Sequence, residues 1–360
     1  MWKYIRLQNF RGFQDFTLHG LARVNVIAGS NNTGKTSILE AAWLLGCNQS
    51  VNLPVRLLSG RGQPIMLMDR QETSWDWLFH RRSSTSPVTI ASETTSATVR
   101  LTDLNAIPIP QGSGIGNQPA SLQALDVSHR DPSGKVNERR LTIRQAASGA
   151  GLEVQAQTLR QEISILDDSA YLPATYRNPV EVANWLSELI LKKDTDPLII
   201  AMRAIDDRIA GLQIVSVMGT PTVHVDLGDA TGLVPLHTLG DGFNRVLHIL
   251  AAIAWAGRRR VLVDEIENGI FFEALPKVWS AIDAFSARHE CQVFATTHSW
   301  EAVTAARVHF LGDVDAASIA DGKNPDFAYF RLRRDAAGIH ADRFPQDRLA
   351  RMVDAGWEVR

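Results

Sequence analysis

The chain has 360 residues, 45% hydrophobic and 21% charged, with a net charge of -2. That profile excludes a disordered chain and leaves enough apolar material for a large core, as one large domain with an insertion or as two lobes. The near-neutral balance gives no global basic field, so any nucleic-acid binding needs a local patch or a partner.

The opening "MWKYIRLQNFRGF" is broken by Lys3, Arg6 and Arg11, unlike a secretory leader. No apolar run reaches the roughly 18 residues a membrane helix needs, so a cytoplasmic protein without a membrane partner is expected. Its alternation predicts a strand, and "LARVNVIAG" predicts a second ending at Gly29. Thr36 to Leu45 has helical spacing, with Gly46 as a stop. Cys47 and Cys291 lie in apolar stretches and read as buried reduced thiols.

From about Val51 to Gln157 the composition turns to Ser, Thr, Gly, Pro and Gln with short strand patterns, a β-rich insertion. Two helical patterns follow, "PVEVANWLSELILKK" and "DPLIIAMRAIDDRIAGL". A hairpin pattern, "LQIVSVMG" with "TVHVDL", precedes "LHTLGDGFNRVLHILAAIAWAG", a loop running into a long apolar helix. "RRVLVDEIENG" reads as a buried strand ending in acids, and "CQVFATTHSWE" as another ending in His298 and Ser299. The tail predicts a last strand or two and a short helix.

Gly29, Gly34, Lys35 and Thr36 match the spacing G-x-x-x-x-G-K-[ST] between a strand and a helix. Glycines let successive backbone N–H groups curl inward on phosphates, and the helix N-terminus adds positive potential. Lys35 should reach the terminal phosphates, and the Thr36 hydroxyl should sit on Mg²⁺. ATP with Mg²⁺ is the expected occupant. A parallel strand beside the phosphate-loop strand would bring Asp264 to the metal and Glu265 to an attacking water as general base. Glu267 and Asn268 lie just beyond. His298, one helix and one strand after Asp264, would fall next to the phosphate-loop strand, within reach of a γ-phosphate. The turn Leu239, Gly240, Asp241, Gly242 is either a second anion-binding helix start or an ordinary glycine turn capped by Asp241.

These four elements, in this order, resemble the ABC-type ATPase heads of the RecF, SMC and OLD group, over roughly residues 1–50 and 165–335. The resemblance implies an α/β fold: an ABC-type P-loop NTPase head with a mixed central sheet, a β-rich insertion and a helical lobe. It divides a single head, 1–360, into a nucleotide-binding core (1–50 and 256–335), the insertion (51–165), a helical lobe with the signature loop (166–255) and a C-terminal cap (336–360). Gly29, Ser30, Asn31, Asn32, Thr33, Gly34, Lys35, Thr36 and Ser37 would be Walker A, and Asp264 and Glu265 Walker B. His298 would be the switch histidine, and Leu239 to Gly242 the signature loop, contacting the γ-phosphate on a second subunit. Arg11 is similar to an arginine that often lies near the nucleotide.

The sequence departs from the family pattern in three places. Gly240 replaces the usual signature serine, leaving Thr238 or backbone N–H groups to substitute. Asn268, Gly269, Ile270 and Phe271 stand where "NGLH" is usual. No Q-loop glutamine is evident; Tyr171–Arg177 is the region that would hold it. The spacing between Lys35 and Asp264 leaves no room for long coiled-coil arms, and too little chain follows His298 for a TOPRIM nuclease. Asp313 and Asp315 read as a surface loop. The resemblance therefore implies a switch ATPase that dimerises, or forms a higher homo-oligomer, in bacterial anti-phage defence beside a separate effector such as a nuclease. The alternative is a RecF-like DNA repair ATPase binding duplex DNA through Arg81, Arg82, Arg258, Arg259, Arg260, Arg331, Arg333 or Arg334.

Overall fold

Two sheets share helix α1 (Lys35–Gly46) between them. The computed structural model describes residues 1–47, 54, 57, 74–103, 123–145, 152–163, 169–174, 179–229, 232–257, 259–312 and 324–357. The first sheet opens with a hairpin, β1 (Tyr4–Phe10) and β2 (Phe13–His19). β4 (Val88–Ala91), β5 (Ser96–Asp103), β6 (Gln123–Arg130), β7 (Val136–Gln145) and β8 (Leu152–Gln161) extend it antiparallel, in the order β2-β1-β4-β5-β6-β7-β8. The strands of the 51–165 stretch thus continue the N-terminal hairpin's sheet. His129 on β6 ties this sheet to α1 through its Nε2, 2.7 Å from the Leu44 carbonyl oxygen.

The second sheet has the order β16-β15-β3-β14-β13-β9. Its members are β3 (Val24–Gly29), β9 (Ala170–Leu172), β13 (Arg260–Val263), β14 (Gln292–Thr297), β15 (Phe327–Asp335) and β16 (Gly338–Arg343). All neighbours pair parallel except β15 with β16. The inner strands β3, β13 and β14 are buried along their whole length, as strands covered on both faces require, whereas the edge strand β16 is polar and partly exposed. Alternate residues serve two cores: Val24, Val26 and Ala28 pack into one, and Ile27 into the other with α1. Ile38, Leu39, Ala41, Ala42, Leu44 and Leu45 of α1 are all buried, so this helix is apolar nearly all round.

The strand order corrects one expectation. β13, which carries Asp264, does not lie beside β3; β14 stands between them. His298 does follow the strand adjacent to the phosphate-loop strand, as the spacing predicts.

On the other face lie α2 (Pro179–Leu191), α3 (Asp196–Arg203), α4 (Asp241–Ala256), α5 (Leu275–Arg288), α6 (Trp300–Leu311) and α7 (Gln346–Asp354). A small sheet, β10 (Gly211–Val217), β11 (Thr220–Asp226) and β12 (Leu233–Pro235), packs there too. The second helical pattern of the sequence stops early, at Arg203. Beyond it the Asp206 carboxylate accepts from the Arg208 backbone N–H at 3.2 Å and its guanidinium at 2.9 Å, a local turn that competes with the helix.

Candidate functional site

Gly29 closes β3 with φ 151°. A Cβ there would stand 2.7 Å from the Leu332 carbonyl oxygen on β15, so only glycine fits. The chain curls through Ser30 to Thr33, where the Thr33 hydroxyl donates to the Ser30 carbonyl at 2.8 Å. Gly34 is the N-cap of α1 at φ 95°, and a Cβ on it would meet the Phe13 ring at 2.7 Å. No side chain caps α1, and its first turn carries no acid. Its N-terminus therefore presents positive potential with no counter-charge of its own.

Lys35 is 8% exposed and donates from Nζ to the carbonyls of Gly29 at 2.6 Å and Ser30 at 2.9 Å. Burial pushes its pKa down, against the upward pull of Asp264, Glu265 and Glu267. A buried ammonium held mainly by neutral carbonyls is what an anion entering the loop would relieve.

The Thr36 hydroxyl donates to Asp264, at 3.0 Å from Oδ2 and 3.2 Å from Oδ1. Thr296, at the end of β14, donates from Oγ1 to Asp264 Oδ1 at 2.6 Å and accepts from the Glu265 backbone N–H at 2.8 Å. The intervening strand thus bridges the gap its position creates. Glu265 sits at φ 49°, a left-handed conformation that non-glycine residues adopt at a cost of roughly 1–3 kcal/mol. That turn leaves the Glu265 side chain partly exposed while Asp264 stays buried. His298 lies with Nδ1 3.1 Å from Glu267 Oε1 and 3.7 Å from Glu265 Oε1.

Thr36 and Asp264 offer hard oxygen donors side by side, and among the described residues no group of three or more His, Cys, Asp or Glu side chains is arranged to hold a metal ion by itself. This donor set fits Mg²⁺, which takes one or two protein oxygens and fills its shell with phosphate and water. An open cleft of about 640 Å³ runs along the loop, lined by Gly29, Ser30, Asn31, His298 and β15 residues Arg331 to Asp335. Arg334 Nη1 donates to the Asn32 carbonyl at 3.4 Å.

Other expected residues lie elsewhere. Arg11 is in the β1–β2 turn, its guanidinium 2.8 Å from Glu40 Oε2 on α1, and does not line the cleft. Leu239 to Gly242 opens α4, but its N-cap is Gly240 at φ 88°, not Asp241, which is the first helical residue. Only glycine takes that cap conformation freely. Gly240 and Asp241 are exposed, and a Cβ on Gly242 would stand 2.5 Å from the Gly269 carbonyl oxygen. The helix start therefore rests on the loop following Glu265.

Arg245 of α4, fully buried, reinforces this by donating to the carbonyls of Asp264 and, at 2.8 Å, Pro173. Asn268 Nδ2 donates to the Ala174 carbonyl at 2.8 Å. Tyr171 and Leu172 belong to β9 at the sheet edge, and Pro173 and Ala174 follow it; Thr175, Tyr176 and Arg177 lie outside the described residues, as do Arg258, Asp313 and Asp315. Sequence reasoning missed Thr296 and Arg245. A hydroxyl at a strand end and an arginine inside an apolar helix were the only signals.

Residues 1–101 match the family model described as AAA ATPase domain. An ATP/GTP phosphatase of Helicobacter pylori is 22% identical over 331 residues, covering 84% of this chain and 86% of that protein. The DNA replication and repair protein RecF of Nitrosococcus oceani is 41% identical over 56 residues, 16% of this chain and 15% of the relative. Among solved structures, the SMC head domain of Thermotoga maritima has 11% identity and a TM-score of 0.42, covering 96% of this chain and 99% of that one. An SMC head bound to the C-winged helix domain of ScpA has 10% identity and a TM-score of 0.48, with 95% and 97% covered. With a glycine loop closing on a buried lysine, with Thr36 meeting Asp264, and with the match to the AAA ATPase domain and the likeness to the ATP/GTP phosphatase, the chain is an ATPase, similar over a short stretch to RecF.

Proposed function

We propose that this ATPase is a nucleotide-driven switch whose heads dimerise around ATP. The observation that carries it is the Lys35 ammonium, buried on two carbonyls at the mouth of an uncapped helix, with Glu265 and His298 on the facing loop. Lys35 holds the terminal phosphates. Thr36 and Asp264 would hold Mg²⁺, which supplies charge neutralisation at the β- and γ-phosphates. Glu265 accepts the proton of the attacking water as its oxygen bonds to the γ-phosphorus and ADP departs. His298, anchored by Glu267, marks the γ-phosphate position.

The exposed Leu239–Gly242 helix start would meet the nucleotide of a second copy, with its backbone N–H groups in place of the missing serine hydroxyl. Because this start rests on Gly269, the trans contact and the hydrolytic loop would move together. In this reading the 1–360 head has a core, an insertion, a helical lobe and a cap, and its closed dimer restrains a separate effector, such as a nuclease, in bacterial anti-phage defence.

Glu265→Gln should bind ATP without hydrolysing it. Its mass in solution should double on adding ATP. A protein that stays monomeric with ATP bound refutes the head-dimer switch.

A second reading, a RecF-like ATPase that grips duplex DNA, is favoured by one surface. Arg81 and Arg82 are exposed beside Trp77, which is 43% exposed, with the Arg82 guanidinium 3.9 Å from the indole centroid. It predicts duplex binding that weakens steeply with salt through counterion release and is lost in Arg81→Ala/Arg82→Ala.

A further inference from the structure

Helices α3 and α5 border one open groove of about 700 Å³, which shares no lining residue with the cleft along the phosphate loop. From the α3 side come Pro197, Ile200, Ala201 and Ala204, and from α5 Lys277, Ala281, Ala284 and Arg288. Steps of three and four residues keep each set on one helical face. Isoleucine is among the residues most often buried, yet Ile200 is 65% exposed. At the end of α5 the Arg288 guanidinium donates to Asp194 at 2.8 Å, just ahead of α3, so the two helices run antiparallel along the groove.

The shape fits a third helix. Alanines at 201, 281 and 284 keep the walls low, so another backbone can approach closely between the two ridges. An apolar groove of this kind is how an amphipathic helix is held. From Pro276 to Arg288 the α5 wall is about 18 Å long, the span of roughly 12 helical residues. The charge fits an acidic helix. Both charged groups on the lining are basic. Arg288 is matched by Asp194, but Lys277 makes no hydrogen bond or ion pair among the described residues. It stands in the first turn of α5, where no acid and no side-chain cap offsets the positive helix end. Glu273, just ahead of the helix, makes no ion pair with it. A carboxylate brought beside Lys277 is therefore favoured by the ammonium and by the helix end together. We propose that the α3–α5 groove docks an amphipathic helix of a partner protein, its apolar side on Ile200, Ala281 and Ala284 and an acidic residue on Lys277.

Its placement gives the groove a consequence. α5 begins where the hydrolytic loop ends, through the turn Phe272–Ala274. A helix seated across α3 and α5 fixes their spacing and so bears on the loop that carries Glu265. That coupling rests on the switch reading; the docking itself does not.

The test is fluorescence anisotropy of a labelled helical peptide, leucine on one face and glutamate on the other, titrated with the full chain. A counterpart carries lysine in place of glutamate. The glutamate peptide should bind saturably, and the lysine peptide about tenfold more weakly or worse. Lys277→Glu should weaken the glutamate peptide by about tenfold and strengthen the lysine peptide. An acid in the first turn suits α5, so this variant should fold at least as well as wild type. Ala284→Glu, at an exposed position, should also weaken the glutamate peptide. ATP hydrolysis without peptide should be unchanged in both variants. No binding of the glutamate peptide, or equal binding in Lys277→Glu, overturns the proposal. Anilinonaphthalene sulfonate binding that Ala284→Glu abolishes, with no peptide binding, overturns it in favour of a small amphipathic ligand. Self-association of the chain that Ala284→Glu abolishes, with no peptide binding, overturns it in favour of a second copy. If Glu265→Gln stays monomeric with ATP bound, the switch reading fails, and the peptide titration still decides the docking.

Discussion

Glu267 holds His298 by both backbone and ring. Its Oε1 accepts from the N–H groups of His298 at 2.9 Å and Ser299 at 3.1 Å, and it lies 3.1 Å from the imidazole Nδ1. Ser299 in turn caps α6, its hydroxyl accepting from Ala302 N–H at 3.1 Å. One carboxylate thus fixes the turn from β14 into α6 and the direction of the histidine. Glu267→Ala should lower steady-state ATP hydrolysis by about tenfold or more through misplacement of His298, with ATP affinity little changed. Glu267→Gln keeps an acceptor oxygen and should retain more activity than Glu267→Ala. Equal rates in all three proteins would remove Glu267 from this role.

Lys35→Met should abolish nucleotide binding without harming the empty fold. The folded pKa of Lys35 lies below its ordinary 10.5 because burial disfavours the ammonium. Between the lowered folded value and 10.5 the unfolded chain holds the extra proton, so wild-type stability rises with pH through that window. Below it the burial penalty is fully present. Urea denaturation at neutral pH should find Lys35→Met at least as stable as wild type, and the difference should shrink or reverse as pH climbs toward 10.5. A variant much less stable at neutral pH would contradict this account.

Thr296→Val keeps shape and deletes one hydroxyl. It leaves the Glu265 N–H without its acceptor and Asp264 without its 2.6 Å donor. Losing such bonds at a buried site costs about 1–3 kcal/mol. We expect hydrolysis to fall by on the order of tenfold or more, with nucleotide affinity nearly unchanged and Thr296→Ser restoring most of the rate.

His129 makes the fold acid-sensitive. Its pKa is pushed down, first by complete burial; the hydrogen bond to Leu44 pulls upward, and Arg139 pushes down again. The folded state therefore prefers the neutral ring. Its contribution is complete above the unfolded value near 6.5 and is lost as pH falls toward the folded one. Urea midpoints should drop more steeply below pH 6.5 in wild type than in His129→Gln.

The parts legible in the sequence were those whose physics is local. Gly29 to Thr36 declares itself because a phosphate loop needs glycines, a lysine and a helix start within a few residues. The helices at Lys35–Gly46 and Asp241–Ala256 show in their apolar spacing. Sheet order is not local, so the insertion of β14 between β3 and β13 was invisible, and with it the role of Thr296. Motif position also says nothing of Glu40, the acid that engages Arg11.

The register of β3 bears on how the protein is made. Its hydrogen-bonded neighbours on both edges, β14 and β15, belong to the last quarter of the chain. On a ribosome, the antiparallel sheet from β1 to β8 can close early, while β3 waits with both edges open until translation is nearly done. A product truncated before β14 would carry every residue of the phosphate loop yet present no formed loop, so premature termination would yield a chain unable to sequester nucleotide.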